Sequence, residues 1–254
     1  MSKIFDALRK AEMEMKRPRR SARRRPPSAK VATGRETTFV RDMDSIFRQS
    51  LLNLRNSIDS EMRQKESRVV MFTSAIKGEG KTAICTLLAR ILALNERERV
   101  LIVDCSINNP SIHELFGVTQ EVGIIDYLSG ETEFEKVVKS PESGFLDIVT
   151  IGEVKGGDIT QPLFNSERMN RFIKEASEKY DYVLIDTSAI LEAAETSIIS
   201  SFADGSVMII QAGKTKREVI KRSMLMVEKL GGKFIGTVLN RKKYYIPEFI
   251  YKRV

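Results

Sequence analysis

From about residue 41 onward the chain alternates short apolar runs with amphipathic stretches. The runs at residues 68–74, 99–104, 145–151, 181–186, 205–211 and 234–240 are dominated by Val, Ile, Leu and Phe, with few polar positions between them. Continuous apolar runs of this length, separated by helical patterns, indicate parallel strands buried on both faces. Helical periodicity fills the gaps at residues 83–94, 166–180, 194–202 and 216–230, with shorter helices at 112–116 and 123–130. Ahead of the first strand, residues 41–62 carry Ile46, Leu51, Leu54 and Ile58 at a spacing that predicts a helix packed on the sheet. The predicted fold class is α/β, a mostly parallel sheet flanked by helices, and no internal repeat interrupts it.

Two regions fall outside that alternation. Residues 1–16 form a short amphipathic pattern with Ile4, Leu8, Ala11 and Met15 on one stripe and charges opposite. A helix this short needs a surface to lie on, whether a membrane, a partner or the domain itself; otherwise it is a frayed leader. Residues 17–40 are rich in Arg, Pro and Ser and read as a disordered linker. The organisation is therefore a leader helix at 1–16, a basic linker at 17–40, a folded domain at 41–242 and a tail at 243–254.

Charge sharpens this division. The net charge is +8, and residues 16–30 alone hold eight basic and no acidic side chains, so the rest of the chain balances to zero. The folded part is neutral, which gives no support to a nucleic-acid-binding domain. The basic run beside an amphipathic helix suits an anionic membrane surface, with a solvated linker as the plain alternative. No run approaches the ~18 apolar residues of a transmembrane helix, and no signal-peptide pattern is present, so a cytoplasmic location is expected. Two cysteines, Cys85 and Cys105, read as buried, unpaired thiols, and the single His113 does not suggest a metal site.

The candidate chemistry lies in the loop after the first strand, where Lys77, Gly78, Glu79, Gly80, Lys81, Thr82 and Ala83 run into a helix. Glycines allow backbone N–H groups to approach phosphate oxygens, the helix N-terminus favours negative charge, and lysine adds a point charge. The threonine hydroxyl is a candidate Mg²⁺ ligand. Two later strands, at 99–104 and 181–186, each end in aspartate, Asp104 and Asp186. In an open parallel sheet the ligand lies at the carboxyl ends of the strands, which brings both carboxylates to the loop. Mg²⁺ prefers oxygen ligands, so these residues predict a nucleotide–Mg²⁺ site.

These motifs carry a family resemblance. SAIKGEGKT resembles the Walker A loop of the bacterial tyrosine kinases (BY-kinases), VLIVDCSINNP stands at their Walker A′ motif, and YDYVLIDTSAI is similar to their Walker B strand. PSIHELFGV and GIIDYLSG match in spacing and character, and SKIFDALRKAE with YYIPEFIY resembles the branch found with exosortase and exopolysaccharide loci. The resemblance implies ATP and Mg²⁺ as cofactors, with the backbone of residues 78–82 and Lys81 on the β- and γ-phosphates and Thr82 on the metal. It implies Asp104 near the γ-phosphate as water ligand or proton acceptor, Asp186 in the metal's outer shell, and Asn240 at the adenine edge. Tyr244, Tyr245 and Tyr251 stand where the family carries acceptor tyrosines phosphorylated between neighbouring subunits; aromatic packing of the tail is the plainer reading.

The resemblance further implies a homo-oligomer, a membrane chain-length-determinant (polysaccharide co-polymerase) partner, and a location at the inner face of the plasma membrane. The sequence departs from the pattern at several points. Ser106 and Asn108 replace a second carboxylate and a basic residue of Walker A′, and Ser188 and Ala189 replace the proline that follows Walker B. Gln49, Leu52 and Arg55 hold the register of a degraded oligomerisation motif. Ile76 stands where Min and Par ATPases carry a signature lysine, which favours the kinase branch over a membrane-cycling ATPase. A nucleotide-binding switch of the same machinery, without kinase activity, is the alternative that Ser106 and Asn108 suggest.

Overall fold

Residue parity along the strands decides how the sheet is covered. In the computed structural model, which describes residues 45–95, 97–141, 144–153 and 160–242, seven strands form one sheet. They are β1 (Arg68–Ser74), β2 (Val100–Cys105), β3 (Val138–Lys139), β4 (Leu146–Val149), β5 (Tyr182–Thr187), β6 (Gly205–Gln211) and β7 (Phe234–Asn240). The spatial order is β3-β4-β2-β5-β1-β6-β7, parallel throughout except for the β3–β4 edge pair.

Val70, Phe72, Val100, Ile102, Leu184 and Val207 face one side. There they meet α1 (Ser45–Glu61) through Leu51 and Ile58, and α2 (Lys81–Asn95) through Ile84, Leu88 and Leu92. Val69, Met71, Leu101, Val103, Val183 and Ile185 face the other side. This second layer holds α4 (Ile124–Ser129) and α7 (Glu167–Lys179), whose Met169, Phe172 and Ala176 are buried. Since successive side chains alternate between faces, a strand covered on both sides is buried at every position, as β2 and β5 are, and both are apolar up to Asp104 and Asp186.

The remaining helices are α3 (Ile112–Phe116), α5 (Phe134–Val137), α6 (Thr160–Phe164), α8 (Ala194–Ile199) and α9 (Arg217–Lys229). None among the described residues is long and apolar enough to cross a membrane. The leader helix, the basic linker and the tyrosine tail, at residues 1–16, 17–40 and 243–254, lie outside the described residues.

Three sequence expectations need correction. Ile46 was assigned to the packed face of α1 and is 68% exposed; Leu51 and Ile58, further along, do the packing. The runs at 99 and 181 begin one residue early. Arg99 and Asp181 precede their strands and pair as a fork, Nη2 to Oδ1 at 3.0 Å and Nε to Oδ2 at 3.2 Å, tying the amino ends of β2 and β5. The run at 145–151 forms a ladder only over Leu146–Val149, though Ile151 beyond it is still buried. The elements α5, β3 and α6 went unread because two to five residues carry too little periodicity to register.

Candidate phosphate and metal site

The loop after β1 is built from inside by a carboxylate. Glu79 is 0% exposed and accepts four hydrogen bonds. Its Oε2 takes the N–H groups of Ala75 and Ile76, both at 3.1 Å, and its Oε1 takes the Gln211 N–H at 2.8 Å and the Thr215 hydroxyl at 2.5 Å. An anion that satisfies three backbone donors and a hydroxyl closes the loop on itself and anchors it to the end of β6. Gly78 and Gly80 adopt φ of +84° and +93°, a region open to glycine at little cost. At Gly80 a Cβ would also come within 2.3 Å of Asn240 Nδ2 and would push that amide off the Glu79 carbonyl.

The second half of the site comes from strand ends. Asp104 and Asp186 are register partners on β2 and β5, and both are 0% exposed. Thr82, in the first turn of α2, donates its hydroxyl to Asp186 Oδ2 at 2.7 Å. Asp186 Oδ1 is buried without a hydrogen-bond partner. Burial pushes the Asp186 carboxyl up to about 7; nearby Lys81 and the Thr82 hydroxyl pull down, while Asp104 pushes up. Its neighbour differs. Asp104 Oδ1 accepts the Ser106 N–H at 2.9 Å, and Oδ2 accepts those of Ser111 and Ile112 at 3.2 Å each. Burial raises the Asp104 carboxyl too, against those three backbone bonds.

The loop, Lys81, Thr82, Asp104 and Asp186 thus come together at one edge of the sheet. An orphaned, buried carboxylate oxygen beside a threonine hydroxyl and a lysine fits a divalent cation held with a polyphosphate. Asn240 reaches the same loop, but its Nδ2 donates to the Glu79 carbonyl at 2.8 Å and its Oδ1 accepts the Arg241 N–H at 2.8 Å. Cys85 and Cys105 are free and buried, and burial raises both thiols.

Several contributors had no sequence signal. Gln211, Thr215 and Arg241 converge on the loop from more than a hundred residues away, the last with its guanidinium Nη1 on the Gly78 carbonyl at 3.1 Å. Glu192, in the loop after β5, accepts the Lys77 N–H at 3.2 Å. Glu79 stood among the loop residues expected to meet the nucleotide, yet its side chain serves the loop's own architecture.

A glycine loop feeding a helix at the carboxyl edge of a parallel sheet, with strand-end carboxylates beside it, defines a P-loop nucleotide-binding protein. A model of the AAA domain matches residues 67–233. Tyrosine-protein kinase YwqD of Bacillus subtilis is 29% identical over 209 residues, which cover 82% of this chain and 87% of the relative. Tyrosine-protein kinase CpsD of Streptococcus agalactiae is 30% identical over 178 residues, 70% of this chain and 76% of the relative. The solved kinase domain of the Escherichia coli tyrosine kinase ETK superposes with a TM-score of 0.71 at 26% identity, over 78% of each chain. The chain belongs to the AAA domain family and, within it, to the bacterial tyrosine kinases. It spans 25% of the longer Escherichia coli relative named tyrosine-protein kinase etk.

Proposed function

We propose that this protein is an ATP-dependent protein-tyrosine autokinase that regulates the chain length and export of an exopolysaccharide or capsule. The observation that carries the reading is the pairing of Thr82 with Asp186, whose second oxygen is buried and unpartnered beside Lys81 and the glycine loop. In this reading the amides of residues 78–82 and the Lys81 ammonium hold the β- and γ-phosphates. Thr82 and Asp186 hold Mg²⁺, which when bound neutralises charge on the transferring phosphoryl group. Asp104 fixes the loop that follows β2 against the γ-phosphate end and completes the metal's surroundings. Asn240, already on the loop at Glu79, borders the adenine.

Tyr244, Tyr245 and Tyr251 are the acceptors, presented to a neighbouring subunit of a homo-oligomer. Positioning and charge neutralisation supply most of the catalysis in such transfers, so a tail that reaches the next site suffices. Residues 1–30 and a membrane chain-length-determinant partner keep the protein at the inner face of the plasma membrane.

Incubation of the full chain with ATP and Mg²⁺, with the partner's cytoplasmic segment present, is expected to place phosphate on the tail tyrosines, read by mass spectrometry. Lys81→Met removes it. Wild-type protein that binds ATP and stays unmodified overturns the kinase reading. One observation favours a second reading, a nucleotide-dependent switch: both Asp104 oxygens are already engaged by backbone N–H groups. Replacing Tyr244, Tyr245 and Tyr251 with Phe separates the two, because a switch keeps its ATP-dependent regulation in that variant and an autokinase loses it.

A further inference from the structure

Transfer to a phenol needs a group to take its proton, and the two strand-end aspartates are poorly placed for that. Asp104 is fully buried with both oxygens on backbone N–H groups, and Asp186 is fully buried on Thr82. Neither offers an oxygen to a side chain arriving from solvent. The Ser106 side chain, two residues after Asp104, is a buried hydroxyl directed at the Asn109 carbonyl at 3.4 Å.

Glu192 is different on each count. It is exposed, and its Oε1 accepts the backbone N–H of Lys77, at the mouth of the phosphate loop, at 3.2 Å. Its position is fixed by three loops at once. The chain just before it runs along the phosphate loop, with the Ile190 N–H on Ser74 O at 2.9 Å and the Leu191 N–H on Ala75 O at 3.4 Å. Asn108, from the loop after β2, donates its side-chain amide to the Glu192 carbonyl at 3.1 Å, and its own N–H reaches the Ser188 hydroxyl at 3.4 Å. The loops that follow β1, β2 and β5 thus meet at Glu192, whose carboxylate is exposed and holds the Lys77 amide. An anion that takes an amide of the phosphate loop stands beside the place where a nucleotide's terminal phosphate is drawn.

We propose that Glu192 is the proton acceptor for the tyrosine hydroxyl, an inference that rests on the kinase reading above. The phenolic oxygen forms a bond to the γ-phosphorus. The bond from that phosphorus to the β–γ bridging oxygen breaks, and its electron pair leaves with ADP. The phenolic proton passes to the Glu192 carboxylate. Asn108 acts as a positioning residue by holding the backbone from which that carboxylate projects.

The test uses the full chain with ATP and Mg²⁺, comparing wild type, Glu192→Gln and Glu192→Asp for ATP affinity and for the initial rate of tail phosphorylation. Gln keeps an oxygen for the Lys77 N–H, so the loops retain their contacts. The expected result is a fall of roughly 100-fold or more in the transfer rate of Glu192→Gln with ATP affinity unchanged, and partial activity in Glu192→Asp. Transfer by Glu192→Gln at the wild-type rate overturns the proposal and leaves the kinase reading standing. Tighter ATP binding by Glu192→Gln with undiminished transfer also overturns it, and identifies the carboxylate as an anion that competes with the γ-phosphate. Wild-type protein that binds ATP without acquiring phosphotyrosine overturns the kinase reading, and this inference with it.

Discussion

Asp104 and Asp186 stand one residue from the ends of adjacent strands in the same register, close similar apolar runs, and are equally buried, yet their surroundings are opposite. Asp104 receives three backbone N–H groups from the loop that follows it and from the start of α3. Asp186 receives one hydroxyl and keeps an oxygen with no partner. A buried anion that its own chain has satisfied is a fastener, whereas one left half-satisfied has an oxygen to offer a cation. The same residue type at the same place in the strand therefore does two jobs, and the difference lies in the loop that comes next.

The largest effect is expected at Asp186. The Asp186 carboxyl titrates at about 7 in the folded protein, against 3.8 for an unperturbed aspartate. Because the folded pKa is raised, its contribution to stability is fully present below pH 4 and is lost as pH rises through 7. In chelator-treated protein, chemical denaturation between pH 4 and 8 is expected to show falling stability, with an upper limit of about 4 kcal/mol from this group. Asp186→Asn removes that slope and leaves the metal-free protein more stable than wild type at pH 8, while its Mg²⁺-dependent nucleotide binding weakens by at least about tenfold. A variant less stable than wild type at pH 8 would show that Asp186 is a fastener like its neighbour.

Asp104→Ala is expected to act with the opposite sign. It leaves the N–H groups of Ser106, Ser111 and Ile112 without their acceptor, and the cost is about 2–4 kcal/mol once relief of a buried charge is set against it. Hydrogen exchange at those three amides is expected to accelerate ahead of the rest of the sheet. If they keep their protection, the hydrogen bonds to Asp104 are not what holds the loop.

This contrast also marks how far the sequence is legible. The parallel sheet was readable because burial on both faces forces continuous apolar runs, and six of the seven strands follow from such runs, although the edge strand β7 turns out to be partly exposed along its length. The loop was readable because Gly78, Gly80, Lys81 and Thr82 fall within five consecutive residues. Which aspartate would be satisfied was not readable, because the donors to Asp104 are backbone groups and every sequence has those. Glu79 was hidden for a related reason. Its partners Gln211 and Thr215 are brought to it only by the pairing of β1 with β6. Glu192 lies in a loop without periodicity, and only the folded chain sets it against Lys77.

Thr82 gives the smallest and sharpest test, because it is the single partner that Asp186 has in the described chain. Its hydroxyl stabilises the ionised carboxylate across 2.7 Å and so lowers the pKa that burial raises. Thr82→Ala is expected to move the Asp186 midpoint further upward and to destabilise metal-free protein by about 1 kcal/mol. The sign of the shift fixes the window. Once Asp186 is protonated, below about pH 5, the hydrogen bond has no charge to stabilise and most of the difference from wild type disappears; above pH 7 it is fully expressed. Thr82→Ser keeps the hydroxyl and should restore the wild-type curve. In the Asp186→Asn background the pH-dependent part of the Thr82→Ala effect should vanish, because no carboxylate remains to titrate. A Thr82→Ala penalty that is the same at every pH and in both backgrounds would mean that the hydroxyl serves the first turn of α2, and that Asp186 stands in the metal-free protein with no partner at all.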